Sequence, residues 1–261
     1  MFQPVLPATG LTGWFFLKRT AETQQETLSQ SGLVKRESEY FRENIGKVQS
    51  PSDLIEDRTL RKVALTAFGL EGDLNNKFFI NRILDDGTTE GTALANQLSD
   101  KRYLAFAEGM GFVDGRSNLL SDPSAVERII QDFQSRTFEA AVGEQDPNLR
   151  LALSLERELG IIAGRSTSVD TKWFSVMGNP PLRNIFESAM GLPSSFASIP
   201  IDDQLETLKA RSESLFGTSD IADFQDPELQ ETLTRRFLLN EQLNANAFAS
   251  GQSIALQLLQ A

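Results

Sequence analysis

Apolar residues recur along this chain at three- and four-residue spacing, while period-two alternation is almost absent. Leu60, Val63, Ala64 and Ala67 fall on one helical face, and Val126, Ile129, Ile130, Phe133 and Phe138 on a longer one. The pattern predicts helices over 14–30, 33–45, 74–84, 92–98, 122–142, 149–163, 171–177, 181–190, 202–216, 227–243 and 253–259. It predicts an irregular arm over 2–13, where Pro4, Pro7, Gly10 and Gly13 interrupt, and loops at 114–118, 143–147 and 164–170. No strand is expected. Tyr40 and Phe41 are expected to face inward, as are Phe78, Phe79, Ile83 and Leu84. The helix at 14–30 has a thin apolar side, so it projects into solvent or waits for a partner.

The helices are punctuated alike. Asp57-Arg58-Thr59-Leu60 runs into Ala67-Phe68-Gly69-Leu70, Asp100-Lys101-Arg102-Tyr103 into Gly109-Met110-Gly111-Phe112, and Asn179-Pro180-Pro181-Leu182 into Ala189-Met190-Gly191-Leu192. A fainter copy opens at Asp226-Pro227-Glu228-Leu229 and lacks the closing glycine. An Asp or Asn at the start offers its oxygen to an unpaired amide of the first turn. A glycine followed by a large apolar residue suits a left-handed C-terminal cap. The seven cap residues are therefore Asp57, Gly69, Asp100, Gly111, Asn179, Gly191 and Asp226. The expected fold is all-α: a multi-helical array of repeated short capped helices with extra terminal helices. Its segments are an N-terminal arm and helices (1–49), a first repeat pair (50–115), connecting helices (116–165), a second repeat pair (166–243) and a C-terminal helix (244–261).

Composition narrows the function. A chain of 261 residues with 40% hydrophobic and 23% charged residues is ordinary for a soluble protein, with room for one large helical domain or two smaller ones. No apolar run approaches the roughly 18 residues of a membrane span, so no membrane insertion is expected. The N-terminus is a poor secretory signal, which leaves the cytoplasm or a route without a cleaved signal peptide. A net charge of −11 argues against nucleic acid and against an anionic membrane surface. The basic pairs Lys18-Arg19, Lys35-Arg36, Arg61-Lys62 and Arg235-Arg236 read as solvated helix faces. With no Cys and no His, disulfides, thiol catalysis, thiolate zinc sites and every imidazole mechanism are excluded. No cofactor or metal is expected.

Four stretches carry a family resemblance: Ala67-Phe68-Gly69-Leu70, Lys77-Phe78-Phe79-Ile80, the run from Leu94-Ala95-Asn96-Gln97-Leu98 through Ser99-Asp100-Lys101-Arg102-Tyr103, and Phe106-Ala107. They resemble the bacterial domain-of-unknown-function family 1217, with Gln97 where a basic residue is common. The resemblance extends over most of the chain, to Ser250-Gly251-Gln252. Members of that family often sit among flagellar genes, so it implies a helical bacterial protein tied to motility. It implies no activity and no catalytic residues.

Other residues invite chemistry and read better as structure. Gly109, Gly111 and Gly115 are not a phosphate loop, because they end a helix where a dinucleotide fingerprint needs a strand before and a helix after. Asp85-Asp86 reads as a helix close before Gly87, and Asp202-Asp203 as a cap after Pro200; neither has the alternating ligands of a calcium loop. The aromatic pairs Tyr40-Phe41, Phe78-Phe79 and Trp173-Phe174 read as core, and Arg102 beside Asp100 and Tyr103 as an ion pair that pins a helix start. The expectation is a non-enzymatic structural or assembly protein of the bacterial flagellum or its export, with flagellar subunits or a second copy, met through the terminal helices, as partners. The alternative is a cytoplasmic adaptor or export chaperone binding a partner helix. A hydrolase working through Asp, Glu or Ser lacks a nucleophile–base constellation.

Overall fold

The structure, a computed structural model, describes residues 2–113, 115–117 and 119–259, with backbone alone at 119 and 246–259. Among these, thirteen helices follow one another: α1 (Gly10–Ser29), α2 (Gly32–Asn44), α3 (Pro51–Glu56), α4 (Arg58–Ala67), α5 (Lys77–Asp86), α6 (Leu94–Gln97), α7 (Arg102–Met110), α8 (Pro123–Gly143), α9 (Pro147–Ala163), α10 (Val169–Met177), α11 (Pro180–Ala189), α12 (Ile201–Phe216) and α13 (Pro227–Leu259). The fold is all-α. One two-residue hairpin departs from the strandless expectation: β1 (Phe112–Val113) pairs antiparallel with β2 (Arg116–Ser117). Its second strand falls inside the expected loop at 114–118, of which residues 114 and 118 lie outside the described residues.

The chain divides into two compact units, residues 1–5 with 20–141 and residues 6–19 with 142–261. In the first, α2 packs on α4, and α3, α5, α6 and α7 pack in succession. Phe41, Leu54, Val63, Leu65, Ile80, Ile83 and Phe106 are fully buried there. In the second, α9, α11 and α13 pack on one another with α10 against α11. Its centre is a chain of edge-on rings: Trp173 to Phe186 at 5.3 Å, Phe186 to Phe224 at 5.4 Å and Phe224 to Phe216 at 5.3 Å. Edge-to-face contact sets the positive rim of one ring against the negative face of the next.

Several expectations are corrected. The first helix starts at Gly10, inside the supposed arm. A tertiary bond decides this, since the Gly10 amide, at φ +58°, donates to Asp146 Oδ2 at 3.2 Å. Each aromatic pair is split: Phe41 and Trp173 are buried, but Tyr40, Phe174 and above all Phe78, 84% exposed, face outward. Neighbours on a helix point about 100° apart, so two consecutive rings cannot share one core. Arg61 is not a solvated cation. It is buried, donating from Nε to the Leu74 carbonyl and from Nη1 to the Ile55 carbonyl. Asp202 and Asp203 lie in the first turn of α12 and do not cap it, because Pro200 holds the cap position. The break expected at 244–251 is absent, and α13 runs on as one helix of 33 residues, about 50 Å long.

Candidate functional site

The segment that carries the family resemblance folds around the C-terminus of α4. Asp57 accepts from the amides of Thr59 (2.8 Å) and Leu60 (2.9 Å) and starts that helix. At its other end Gly69, at φ +71°, lets the Gly69 amide reach Thr66 and the Leu70 amide reach Leu65, a Schellman close. Two carbonyls left over there are taken by arginines. Arg136 Nε donates to Ala67 O at 2.9 Å, and Arg102 Nη1 donates to Gly69 O at 2.6 Å. Arg102 is held in turn by a fork on Asp100, with Nη2 to Oδ2 at 2.6 Å. The negative end of a helix favours cations, so each arginine answers both a lone pair and the dipole.

The rest of the motif braces this corner. Asn96 donates to the carbonyls of Thr88 and Glu90, and Lys101 to those of Asn96 and Leu98. Tyr103 donates to Asp73 Oδ2 at 2.6 Å and stacks edge-on to Phe79 at 5.3 Å. Burial, the Asp73 hydrogen bond and the charges of Asp73 and Asp100 push the Tyr103 phenol up to about 12, against a smaller opposing pull from Arg102. Phe68 lies on Phe106 at 5.6 Å and against Gly109, where a Cβ would come within 2.3 Å of the ring. Asp100, Arg102 and Tyr103 are therefore brought together, but every polar atom in the group is spent on fixing the chain. Arg102 does form the expected ion pair, and it pins the end of α4 as well as the start of α7.

The second unit repeats the corner. Residues 179–192 match 57–70 position for position: Asn179 Oδ1 accepts from Leu182 N, Gly191 sits at φ +65°, and the amides of Gly191 and Leu192 reach Ser188 and Glu187. The long helices match too. Residues 226–240 align without a gap to 122–136, each opening on an Asp whose Oδ1 takes an amide two residues on at 2.9 Å. Phe133 and Phe237, at equal places, are both buried. Where Arg136 meets Ala67, its counterpart Asn240 donates to Ser188 O (2.7 Å) and Ala189 O (3.3 Å), and Arg236 Nε adds a bond to Ala189 O. Asp226 thus heads a copy of the long helix α8, where the sequence reading made it a fourth short one. The second brick also differs: Lys101 occupies the start of α7 with Asp100 accepting from Arg102 N, and Gly111, at φ +61°, closes it by one bond to Ala107. Sequence reasoning missed Arg136, Asn240 and Arg236; the shared Asp-Pro and the Phe eleven residues on were the available signal.

The terminal helices meet inside the second unit. Gly10 lies beside Gln242, Arg235 covers the Phe15 ring at 5.2 Å, and Lys18 Nζ reaches Glu231 Oε2 at 2.7 Å. The order makes α1 and α13 antiparallel. Burial works to raise Glu231, but the hydrogen bonds and charges of Lys18 and Arg235 outweigh it and hold its carboxyl below the usual range. A cleft of about 390 Å³ in the first unit is lined by Ile45, Leu120, Pro123 and Val126, with Arg42 and Glu127 already paired at 2.9 Å. Among the described residues no group of three or more acidic, His or Cys side chains is placed to hold a metal ion. No helix among them is long and apolar enough to cross a membrane.

The sequence pattern of the proteins of unknown function grouped as DUF1217 matches residues 67–229, well over half of the chain. The chain belongs to the DUF1217 family. The match starts at the last residue of α4 and ends in the first turn of α13, so it spans both capped corners from Ala67 onward. The crystal structure of a structural-genomics target protein from Agrobacterium tumefaciens is similar over 93% of this chain and 97% of its own, with a TM-score of 0.75 and 28% identity. No curated protein matches this DUF1217 chain significantly.

Proposed function

We propose that this DUF1217 protein is a non-enzymatic structural or assembly component of the bacterial flagellum or of its export, working through protein contacts. The observation that carries the reading is the terminal pair. α1 begins beside Gln242, and α13 continues through Leu259, some 25 Å further at 1.5 Å per residue. A helix of that length, with Leu239 and Leu243 exposed along it, serves contact with another surface better than it serves the core. Within each unit the capped corner spends arginines on closing a helix end, Arg102 and Arg136 in the first and Arg236 in the second. The flagellar part of the reading rests on the family resemblance, whose members often sit among flagellar genes.

Fractionating cells into cytosol, envelope and sheared external filaments, and blotting for the chain, tests the reading. Signal in basal bodies or filaments supports it, together with impaired swimming in a deletion strain. A deletion strain with normal filaments and normal swimming refutes it. Signal confined to the cytosol, with an aggregation-prone flagellar subunit co-purifying, turns the reading to an adaptor or export chaperone.

A further inference from the structure

We infer that the cleft at the start of α8 seats a short segment of a partner protein, with an apolar side chain in the cleft and a basic one beside it on Glu127. The two units differ at this place. The gapless match of 122–136 with 226–240 extends back over the turn before each helix, so Leu120 stands where Phe224 does, and both are buried. Val126 stands where Gln230 does. In the second unit Gln230 reaches back, its Nε2 donating to the Phe224 carbonyl at 2.8 Å. In the first unit the smaller Leu120 and Val126, with Ile45 and Pro123, line a cleft of about 390 Å³. Longer side chains fit at both places in the same helix start, so the cleft is no requirement of the fold. Its volume is that of a site for a bound group, large enough for an aromatic or branched side chain.

Glu127 sets the charge of the occupant. Its counterpart Glu231 holds two cations, Lys18 Nζ at 2.7 Å and Arg235 Nε at 2.8 Å. The place of Arg235 is taken in the first unit by Gln131, which is uncharged and exposed. Among the described residues Glu127 pairs with one cation, Arg42, and the two side chains remain 45% and 48% exposed. A carboxylate at the rim of an apolar opening, one cation short of its counterpart, fits a segment in which a Lys or Arg follows an apolar residue. The second unit shows such a segment in place, since α1 brings Leu17, fully buried, and Lys18, seated on Glu231. A chain of net charge −11 draws a basic segment towards it and repels an acidic one. The same repulsion disfavours a second copy as the occupant.

The surface serves the protein contacts of the proposed function, and the class of partner rests on that reading. Peptide binding by the purified full chain tests the surface alone, so it can fail while the cellular reading stands, and the reverse. The probe is a fluorescently labelled peptide with the sequence of residues 10–24, which carries Leu17-Lys18-Arg19, read by anisotropy. The parent is expected to bind it with a dissociation constant of about 10–100 µM, weakening as salt is added. Glu127→Gln should raise that constant about threefold and Glu127→Lys at least tenfold. Val126→Gln, which puts the second unit's residue into the cleft, should also raise it at least tenfold. The Glu127 variants change a half-exposed side chain and should keep the far-UV circular dichroism of the parent, so they decide the matter even where Val126→Gln perturbs folding. No binding by the parent up to about 1 mM peptide overturns the inference. So does binding that Glu231→Gln weakens and Glu127→Lys does not, because the peptide would then be taking the place of α1. Self-association of the chain that Glu127→Lys abolishes overturns it as well, by making a second copy the occupant.

Discussion

Gly69 and Gly191 give a controlled test of how the two corners are built. Both occupy the left-handed position of the same cap, at φ +71° and +65°. A Cβ on Gly191 would meet no atom within 4 Å, whereas one on Gly69 would lie 2.7 Å from Arg136 Nη1. Gly191→Ala therefore isolates the backbone term, about 1–2 kcal/mol for a non-glycine residue held at positive φ. Gly69→Ala carries the same term and also displaces the Arg136 guanidinium from the helix end, which adds roughly 1–3 kcal/mol for a charged hydrogen bond to a carbonyl. The expected costs are thus about 1–2 kcal/mol for Gly191→Ala and about 2–5 kcal/mol for Gly69→Ala. Urea unfolding followed by far-UV circular dichroism reads both. Tryptophan fluorescence reads only the second unit, since Trp14 and Trp173 both belong to it. In an Arg136→Ala background the cost of Gly69→Ala should fall to that of Gly191→Ala, the signature of a shared interaction. Equal costs in the parent background, or a larger cost at Gly191, would refute this account of the arginine cap.

Further outcomes follow from burial and charge. Phe186→Ala, at the centre of the ring chain, should cost about 3–5 kcal/mol in the same urea assay, while Phe78→Ala, 84% exposed, should stay within about 0.5 kcal/mol. The Tyr103 phenol titrates at about 12 when folded and near 10 when unfolded, so the folded chain holds that proton more tightly between the two values. Stability should be intact below about pH 10 and fall as the pH rises towards 12; Tyr103→Phe should flatten that fall, leaving the smaller part due to Tyr40. Glu231, held low by Lys18 and Arg235, contributes stability that is present above its unfolded pKa and lost as the pH falls through its folded one. Lys18→Ala should accordingly soften the acid transition read by tryptophan fluorescence.

Much of the site was legible because caps are local. An Asp, Asn or Gly acts on amides and carbonyls within a few residues of itself, so Asp57, Asn179, Gly69 and Gly191 could be assigned from spacing alone. The ion pair of Asp100 with Arg102 spans two residues and was legible for the same reason. Arg136 acts across 69 residues and Asn240 across 51, so only the repeat of Asp-Pro and Phe ahead of them, and no local capping pattern, pointed to them.

The sequence by itself determined the helical class, most helix positions and the closing of their ends, since period, capping and left-handed glycine are properties of a few consecutive residues. The absence of Cys and His likewise removed whole classes of chemistry with no reference to shape. Only the tertiary structure decided which ring of each aromatic pair is inside, that Arg61 is buried, and that α1 begins at Gly10. It also brought Arg136 and Asn240 to matching helix ends in the two units, and left Leu239 and Leu243 bare on α13. Those outcomes depend on which helices lie side by side, and contacts between residues far apart in the chain are made by packing, not by local preference.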